Sequence, residues 1–237
     1  MLQHKKLIIF DMDGTLIDSI GIWNDIDCDL LKQLSGRDHD PVLVQKQRDE
    51  TLRQYRQDPD PYLRYSEFLA ETHQLKESGE EIVKLRYEIA ANYLRTKIDY
   101  KAGVPEFLKE LKARGYDMVI ASITKKKNMT VYRTENVNLM SKAPIDDYFK
   151  KFYTQEDVKE TKPNPEIYLK VLSDFNMNPE DCLIFEDSLV GVEAANAAGI
   201  EVVAMYDKYS DRDRAKINLL SKYQFHDFFE VLKAIEN

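Results

Sequence analysis

The feature that most constrains the fold of this chain is a short apolar run that ends abruptly in two carboxylates. Leu7–Phe10 is followed at once by Asp11 and Asp13, and Gly14 comes next. An unbroken apolar run of this length, closed by a glycine turn, is typical of a parallel strand buried on both faces. Open α/β sheets bind their ligands at the carboxyl ends of such strands. Two like charges one residue apart at that edge predict a cation, or a reaction, that uses them.

A second acidic pair follows another apolar run. Cys182–Phe185 leads into Glu186 and Asp187, and the sequence predicts a helix directly after them. A single Asp-x-Asp is a weak signal, because acidic turns are common and usually solvated. Two acidic pairs at equivalent strand ends are much harder to attribute to chance. The repeated pattern indicates metal-assisted phosphoryl transfer.

Two further segments offer groups that bind phosphate oxygens. The apolar run 119–121 ends in Ser122 and Thr124. Hydroxyls beside backbone N–H groups at a strand-to-helix turn can hold phosphate, although either residue could simply cap the next helix. Lys162 precedes Pro163 and Pro165, which stiffen the approach to a helix and would fix the direction of the ammonium. The alternative for Lys162 is an ordinary surface lysine.

In this order, the four segments resemble the haloacid dehalogenase superfamily, in particular its phosphatases with a helical cap and the β-phosphoglucomutase-like subfamily. The resemblance runs from about Lys6 to about Met205. It implies a Rossmann-like α/β core with a doubly wound parallel sheet and an inserted four-helix cap domain. True haloacid dehalogenases lack the second Asp of the first motif, and phosphonate-cleaving relatives carry Ala there. Asp13 therefore favours phosphate-ester chemistry.

The resemblance also implies roles for the motif residues in hydrolysis of a small phosphorylated metabolite. Asp11 would attack phosphorus to form an aspartyl-phosphate, and Asp13 would act as general acid and base. Ser122 and Lys162 would bind the phosphoryl oxygens. Mg²⁺ is the implied cofactor. Its implied ligands are Asp11, the backbone carbonyl of Asp13, Asp187 and, directly or through water, Glu186.

Two other functions stay open at this point. In the sugar-phosphate mutases of the same family, a His stands twelve residues after the nucleophile, where this chain has Trp23. A non-catalytic phosphate-binding regulator is the other alternative, and the complete motif set argues against it. The resemblance implies that substrate choice depends on cap side chains. Sugar phosphates, phosphoglycolate and nucleoside monophosphates are all compatible with the sequence. The candidate specificity residues are Trp23, Arg48, Arg53, Tyr55, Arg56 and Tyr62.

The segment between the first and second motifs predicts a separate helical domain. Helices are expected over 19–36, 41–57, 61–74 and 79–98, with turns near Gly36, Pro59 and Gly79. We assign the core domain to residues 1–16 and 103–237, and the cap domain to residues 17–102. Two adjacent connections would form a hinge on which the cap could close over the site.

The rest of the chain alternates strands and helices, as in a doubly wound parallel sheet. Residues 138–147 are expected to form an extra loop, and 225–235 a closing helix. The other predicted elements are strands near 117–121, 182–186 and 201–205 and helices near 127–139, 165–176 and 188–198.

Composition excludes several classes of function. With 237 residues, 43% of them apolar, the chain can form one large or two modest domains. A net charge of −8 disfavours nucleic acid and anionic membranes as partners. Cys28 and Cys182 form no disulfide framework, and no apolar run reaches the ~18 residues of a membrane span. We therefore expect a cytoplasmic protein, monomeric or a small homo-oligomer.

Overall fold

A computed structural model describes residues 1–55 and 57–236, and it divides into two compact units. The core unit comprises Met1–Ile20 and Ile98–Asn237, and the cap unit comprises Gly21–Lys97. Within the described residues no helix combines the length and apolar character needed to cross a bilayer.

The cap unit consists of helices, and its sequence marks where they begin. Ser78 and Glu81 form a reciprocal capping box at the start of the last helix, which satisfies backbone N–H groups that the helix itself leaves unpaired. Asp40 and Asp60 cap two other helices, and each is followed by a proline. Over the described part of the cap, the helices are α1 (Ile22–Ser35), α2 (Pro41–Gln54), α3 (Pro61–His73) and α4 (Gly79–Thr96).

The core unit is a parallel sheet with helices packed on it. The strands that the structure describes are β1 (Leu7–Phe10), β2 (Asp117–Ala121), β3 (Lys151–Tyr153), β4 (Cys182–Glu186), β5 (Glu201–Met205) and β6 (Tyr223–Phe225). The core helices are α5 (Val104–Ala113), α6 (Lys126–Thr134), α7 (Val137–Lys142), α8 (Ile145–Tyr148), α9 (Glu166–Phe175), α10 (Leu189–Ala197), α11 (Arg214–Leu220) and α12 (Phe228–Glu236).

The order of the strands decides where ligands can bind. The sheet runs β3-β2-β1-β4-β5-β6, and every pairing is parallel. The chain moves outward from β1 to β3 and then crosses to β4 on the other side, so the order reverses between β1 and β4. Phe10 pairs with Phe185 in this ladder. The residues that follow these two therefore meet at one edge, in the crevice that a reversal of strand order creates.

The sheet is buried on both faces because successive side chains of a strand point to opposite sides. On one face, Leu7 and Ile9 join the apolar cluster that includes Ile167 of α9 and Val192 of α10. On the other face, the Phe10 ring stacks on Phe185 with ring centres 5.0 Å apart, and phenylalanines of α5 and α12 pack around them. The doubly wound parallel sheet with an inserted four-helix cap, predicted from the sequence, is confirmed.

The prediction of a loop over residues 138–147 is wrong, because this segment contains two short helices. The helix expected over 127–139 ends at Thr134, and α7 and α8 follow it. Asn136 causes the break, because its side chain accepts from the Leu139 N–H and caps α7. Buried Leu139 and Ile145 tie the two helices to the core. The closing helix starts at Phe228 rather than 225, since residues 223–225 pair with β5 as β6.

The two connections to the cap pair with each other and belong to the core unit. Ile17 bridges Tyr100 in antiparallel fashion, and the Asp18 N–H donates to the Asp99 carbonyl over 3.0 Å. The compact cap therefore begins at residue 21 rather than 17 and ends at 97 rather than 102. The paired connections explain the difference, because their backbone hydrogen bonds are made within the core.

The interior of the cap contains a charged cluster around Asp27. This fully buried carboxylate accepts from Arg86 Nε over 2.6 Å and from Arg48 Nη1 over 3.0 Å. The Arg86 guanidinium lies 4.9 Å from the Trp23 ring centre and 5.1 Å from that of Tyr62. Three candidate specificity residues thus belong to one cluster that holds cap helices together.

The other candidate specificity residues differ in exposure. Arg53 is exposed and Tyr55 is 36% exposed, so neither is fixed in the cap interior. Arg56 lies outside the described residues.

The cap also contains a histidine contact that should make its stability depend on pH. The rings of His39 and His73 meet edge to face, 4.8 Å apart, and burial together with the neighbouring His39 lowers the pKa of His73. The unfolded chain therefore takes up a proton before the folded cap does, so stability should fall as pH drops below about 6.5. Urea unfolding between pH 7.5 and 5.5 measures this loss. His73→Gln should reduce it, whereas His226→Gln in the core should leave it unchanged; equal behaviour of the two variants would contradict the prediction.

Candidate active site

The first predicted site residue, Asp11, lies in the crevice between β1 and β4. Its backbone N–H donates to the Phe185 carbonyl over 3.0 Å and continues the sheet ladder. The side chain is only 8% exposed, and its Oδ1 accepts from Lys162 Nζ over 2.6 Å. A carboxylate and an ammonium separated by 151 positions in the chain are thus in direct contact at the reversal of strand order.

Lys162 is a buried cation rather than a surface lysine. Its side chain is 1% exposed, and Nζ also donates to Glu186 Oε1 over 2.8 Å. The Tyr168 ring covers the ammonium at 5.0 Å. Removing a charge from water is costly unless opposite charges and hydrogen bonds compensate it. Asp11 and Glu186 supply that compensation.

Glu186 connects Lys162 to the start of α10. Its Oε2 accepts from the backbone N–H groups of Asp187 and Ser188, over 2.7 and 2.8 Å, and from the Ser188 hydroxyl over 3.1 Å. The carboxylate lies directly over Gly191, where any Cβ would overlap with it. An anion at a helix N-terminus is stabilised by these N–H groups and by the helix dipole. Both oxygens of Glu186 are thus engaged by donors.

Asp187 packs against the loop that follows β1. Its Oδ1 accepts from the Thr15 hydroxyl over 2.7 Å. Gly14 adopts a left-handed backbone with φ of 87°, and a Cβ at this position would overlap with the Asp187 carboxylate. Gly14 is therefore required both for the turn and for the close approach of the second acidic pair.

Asp13 receives hydroxyl groups from three separate segments. Ser19 Oγ donates to Oδ1 over 2.6 Å, and Tyr132 Oη donates to the same oxygen over 3.3 Å. The Thr124 hydroxyl donates to Oδ2. We call Ser19, Thr124 and Tyr132 the hydroxyl cluster. Its members fix the orientation of the Asp13 carboxyl group.

Ser122 directly follows β2 and lies beside the same cluster. Its side chain is buried, and its hydroxyl lies 3.3 Å from both the hydroxyl and the backbone nitrogen of Thr124. The backbone N–H of Ser122 itself donates to the Tyr153 carbonyl and completes the sheet. Ser122 can therefore offer a ligand its hydroxyl, but not that N–H group.

The electrostatics of the site reflect crowded, buried carboxylates. Burial raises the pKa of Asp11 to about 7, with Lys162 opposing the shift and Glu186 adding to it. Burial, Glu186 and Asp11 together raise the pKa of Asp187 well above its usual range. Burial alone would lower the pKa of Lys162, but Asp11 and Glu186 outweigh it and raise the value. Two carboxylates, Asp11 and Glu186, thus share one ammonium. With Asp187 close by, the site carries an excess of negative charge that a cation would neutralise.

The donor set is compatible with Mg²⁺. Within residues 1–55 and 57–236, no three His, Cys, Asp or Glu side chains converge as a closed metal-binding group. Mg²⁺ does not need such a group, because it commonly binds through one or two carboxylates and completes its shell with water and substrate phosphate. Asp11 and Asp187 provide two buried carboxylates at one edge. Oxygen donors of this kind suit a hard cation.

Lys101 is a residue of this region that the sequence did not single out. Its Nζ donates to the carbonyls of Gly14 and Tyr206, over 2.7 and 2.8 Å, and to Asp207 Oδ2 over 2.9 Å. The lysine thereby ties the second cap connection to the loop that carries Asp13. No local pattern marks it, because its partners, Gly14 and the adjacent residues Tyr206 and Asp207, come from two distant parts of the chain.

Replacing Gly14 should distort the site through the backbone. Gly14→Ala should cost about 1–2 kcal/mol for the left-handed conformation and a further ~1–3 kcal/mol for the overlap with Asp187. Gly115→Ala is a matched control, since Gly115 has φ of 81° and nothing within 4 Å of an added Cβ. Urea unfolding of Gly115→Ala measures the free-energy cost of the left-handed backbone alone. Urea unfolding of Gly14→Ala measures that cost together with the overlap with Asp187. Equal destabilisation would show that the contact with Asp187 contributes nothing.

Comparison with known proteins assigns the family. A family model described as haloacid dehalogenase-like hydrolase matches residues 8–205. The chain is 33% identical over 133 residues to the "Phosphorylated carbohydrates phosphatase" of Thermotoga maritima, a match that covers 56% of this chain and 58% of that protein. The chain belongs to the haloacid dehalogenase-like hydrolase family. The family predicted from the four motifs is confirmed, and a phosphatase is among its relatives.

Solved structures show the same fold over nearly the whole chain. A haloacid dehalogenase family hydrolase from Deinococcus radiodurans, determined with bound phosphate and sodium, has a TM-score of 0.71 at 20% identity and covers 98% of this chain and 95% of its own. CbbY from Rhodobacter sphaeroides, in complex with phosphate, has a TM-score of 0.65 at 19% identity and covers 94% and 95%. At these identities the likeness concerns the fold alone.

Proposed function

We propose that this protein is a Mg²⁺-dependent phosphomonoester hydrolase that acts through an aspartyl-phosphate. The observation that carries the proposal is the Asp11 carboxylate held by buried Lys162, 2.6 Å away, at the reversal of strand order. An ion pair with a purely structural role would not require Asp13 and Asp187 at the same edge. Family membership and the phosphatase among the relatives support this reading.

In this mechanism Asp11 is the nucleophile. One of its oxygens attacks phosphorus while the bond from phosphorus to the ester oxygen breaks. Lys162 orients the carboxylate and compensates the charge that accumulates on the phosphoryl oxygens. The Ser122 hydroxyl, at the end of β2, is a further donor to these oxygens.

Asp13 transfers the protons. It donates one to the leaving oxygen and then accepts one from the water that attacks the aspartyl-phosphate, which regenerates Asp11. Removal of its carboxyl group from water raises the pKa of Asp13, so that the protonated form required for the first step is accessible.

Mg²⁺ would be held by Asp11, Asp187 and the Asp13 carbonyl. When bound, the ion supplies charge neutralisation between the nucleophile and the phosphoryl group. Thr15 fixes Asp187 through the 2.7 Å hydrogen bond. Glu186, whose two oxygens already accept from four donors, would act through water and as the anchor of Lys162.

The substrate we propose is a small phosphorylated metabolite. A protein of net charge −8 disfavours polyanionic nucleic acid as a substrate or partner. The phosphatase from Thermotoga maritima is named for phosphorylated carbohydrates, which makes sugar phosphates the first class to test. We also propose that the protein works in the cytoplasm, as a monomer or small homo-oligomer.

A mutase activity is disfavoured by Trp23. This residue stands where the related mutases carry a histidine, and its ring contacts the Arg86 guanidinium at 4.9 Å inside the cap unit. An indole has no group that could accept or donate a proton in catalysis at neutral pH. Hydrolysis therefore explains the residues of this chain better than transfer to a sugar hydroxyl.

Phosphate release from a panel of phosphomonoesters, with Mg²⁺ and with EDTA, tests the proposal. The panel contains hexose phosphates, phosphoglycolate and nucleoside monophosphates. We expect release that requires Mg²⁺ and is strongest within one class. Isomerised sugar phosphate without free phosphate would indicate a mutase, and binding of esters without any turnover would indicate a regulator.

A further inference from the structure

The carboxyl group of the proposed acid–base residue accepts hydrogen bonds from three hydroxyl groups. The three members of the hydroxyl cluster all donate to Asp13. Ser19 belongs to the first cap connection, Thr124 to the loop after β2, and Tyr132 to α6. Only Tyr132 projects from a regular helix.

Tyr132 is a hydrogen-bond donor whose hydroxyl is held in a fixed position. Its side chain is 2% exposed although it carries a polar hydroxyl, and the Asp13 Oδ1 atom, 3.3 Å away, is the partner of that hydroxyl. Burial and the neighbouring Asp13 carboxylate raise the pKa of the phenol well above its usual value, so it keeps its proton at neutral pH. A tyrosine has few rotatable bonds, and its hydroxyl stands at a fixed distance from the helix.

We propose that Tyr132 is a positioning residue that orients the Asp13 carboxyl group for proton transfer to the leaving group. This inference rests on the proposed hydrolase function. Tyr132 acts through Asp13 and needs no contact with substrate. Without its hydroxyl, the Asp13 carboxyl group keeps its other two donors but can rotate between more orientations.

Two esters whose leaving groups differ in basicity can test this role, because the step transfers a proton to the leaving group. As the bond from an Asp11 oxygen to phosphorus forms, the ester P–O bond breaks, and the proton of Asp13 moves to the departing oxygen. An alkoxide leaving group is strongly basic and cannot depart without that proton. A 4-nitrophenolate is a weak base and can leave unprotonated. A defect in the orientation of Asp13 therefore slows alkyl esters much more than aryl esters.

Tyr132→Phe, which removes only the hydroxyl, is measured with the best alkyl phosphomonoester of the panel and with 4-nitrophenyl phosphate. The quantity compared is kcat/KM, because it includes departure of the leaving group and not the later hydrolysis of the aspartyl-phosphate. We expect kcat/KM to fall about tenfold or more for the alkyl ester, as for the loss of one hydrogen bond. For the aryl ester we expect less than about a threefold fall.

The matched control is Tyr153→Phe. Tyr153 is also a buried tyrosine, and its hydroxyl donates over 2.9 Å to Asp174, outside the hydroxyl cluster. It should change neither rate, and the melting temperature of each variant reports whether it is folded. Equal losses for both esters, or no loss at all, would overturn the positioning role while leaving the hydrolase in place. Absence of Mg²⁺-dependent release in the wild-type protein would instead refute the proposed function, and the inference with it.

Discussion

Asp11→Asn should reduce phosphate release by roughly 10⁴-fold or more, the scale seen when a covalent nucleophile is removed. The amide keeps the shape of the side chain but cannot attack phosphorus. The fold should survive, because burial already raises the pKa of Asp11 to about 7 and a neutral group is therefore tolerated there. Phosphate assays give the rate, and thermal melting reports the fold.

Two further measurements separate the nucleophile from a merely structural carboxylate. Wild-type protein quenched in acid during turnover should carry a phosphoryl group detectable by mass spectrometry of the intact protein, and Asp11→Asn should not. Asp18→Asn is the control, since Asp18 is an exposed carboxylate of the first cap connection. A variant at Asp11 that retained substantial turnover would remove this residue as the nucleophile.

Lys162→Met should cost both stability and activity. It leaves Asp11 and Glu186 buried without their ammonium, and breaking a buried ion pair on one side typically costs about 3–5 kcal/mol. Turnover should also fall, because the ammonium that balances the carboxylates would bind the phosphoryl group as well. Urea unfolding and phosphate release measure the two effects.

Lys151→Met is the comparison for this prediction. Lys151 also pairs with a carboxylate, Asp174, over 2.6 Å, but its side chain is 47% exposed, and exposed pairs contribute about 0–1 kcal/mol. The two variants remove the same charge from different surroundings. If they destabilise the protein equally, burial of Lys162 has no energetic consequence and the argument from its surroundings fails.

The sequence predicted the central strands because their apolar runs are continuous. Each of the strands β1, β2, β4 and β5 is formed by such a run, and acidic or hydroxyl residues follow the run. β3 and β6 were missed because each has three residues at an edge of the sheet, where partly exposed side chains leave no clear pattern. The break between α6 and α7 was missed because it depends on a single cap, Asn136.

Different physical reasons limited prediction of the site. Asp11 and Asp187 could be proposed because parallel strands bring their carboxyl ends to one edge, whatever the intervening sequence. Lys162 could be proposed because two prolines follow it and because it matches a motif of the family that the sequence resembles. Tyr132 and Lys101 could not, since neither follows a buried strand or belongs to one of the four motifs, and only the folded chain brings them to the site. Glu186 was expected near a metal, and only the structure shows that the start of α10 engages its carboxylate.

The paired cap connections have a consequence for how such a protein can change over evolution. Ile17 and Tyr100 face each other as in a hairpin, so the two ends of the cap sequence leave the core side by side. An insert with adjacent ends adds little loop-closure entropy to the folding of its host. Its length and composition can therefore vary while β1 and β4 keep their register. The inserted segment and the strands that carry the candidate site can thus diversify independently of each other.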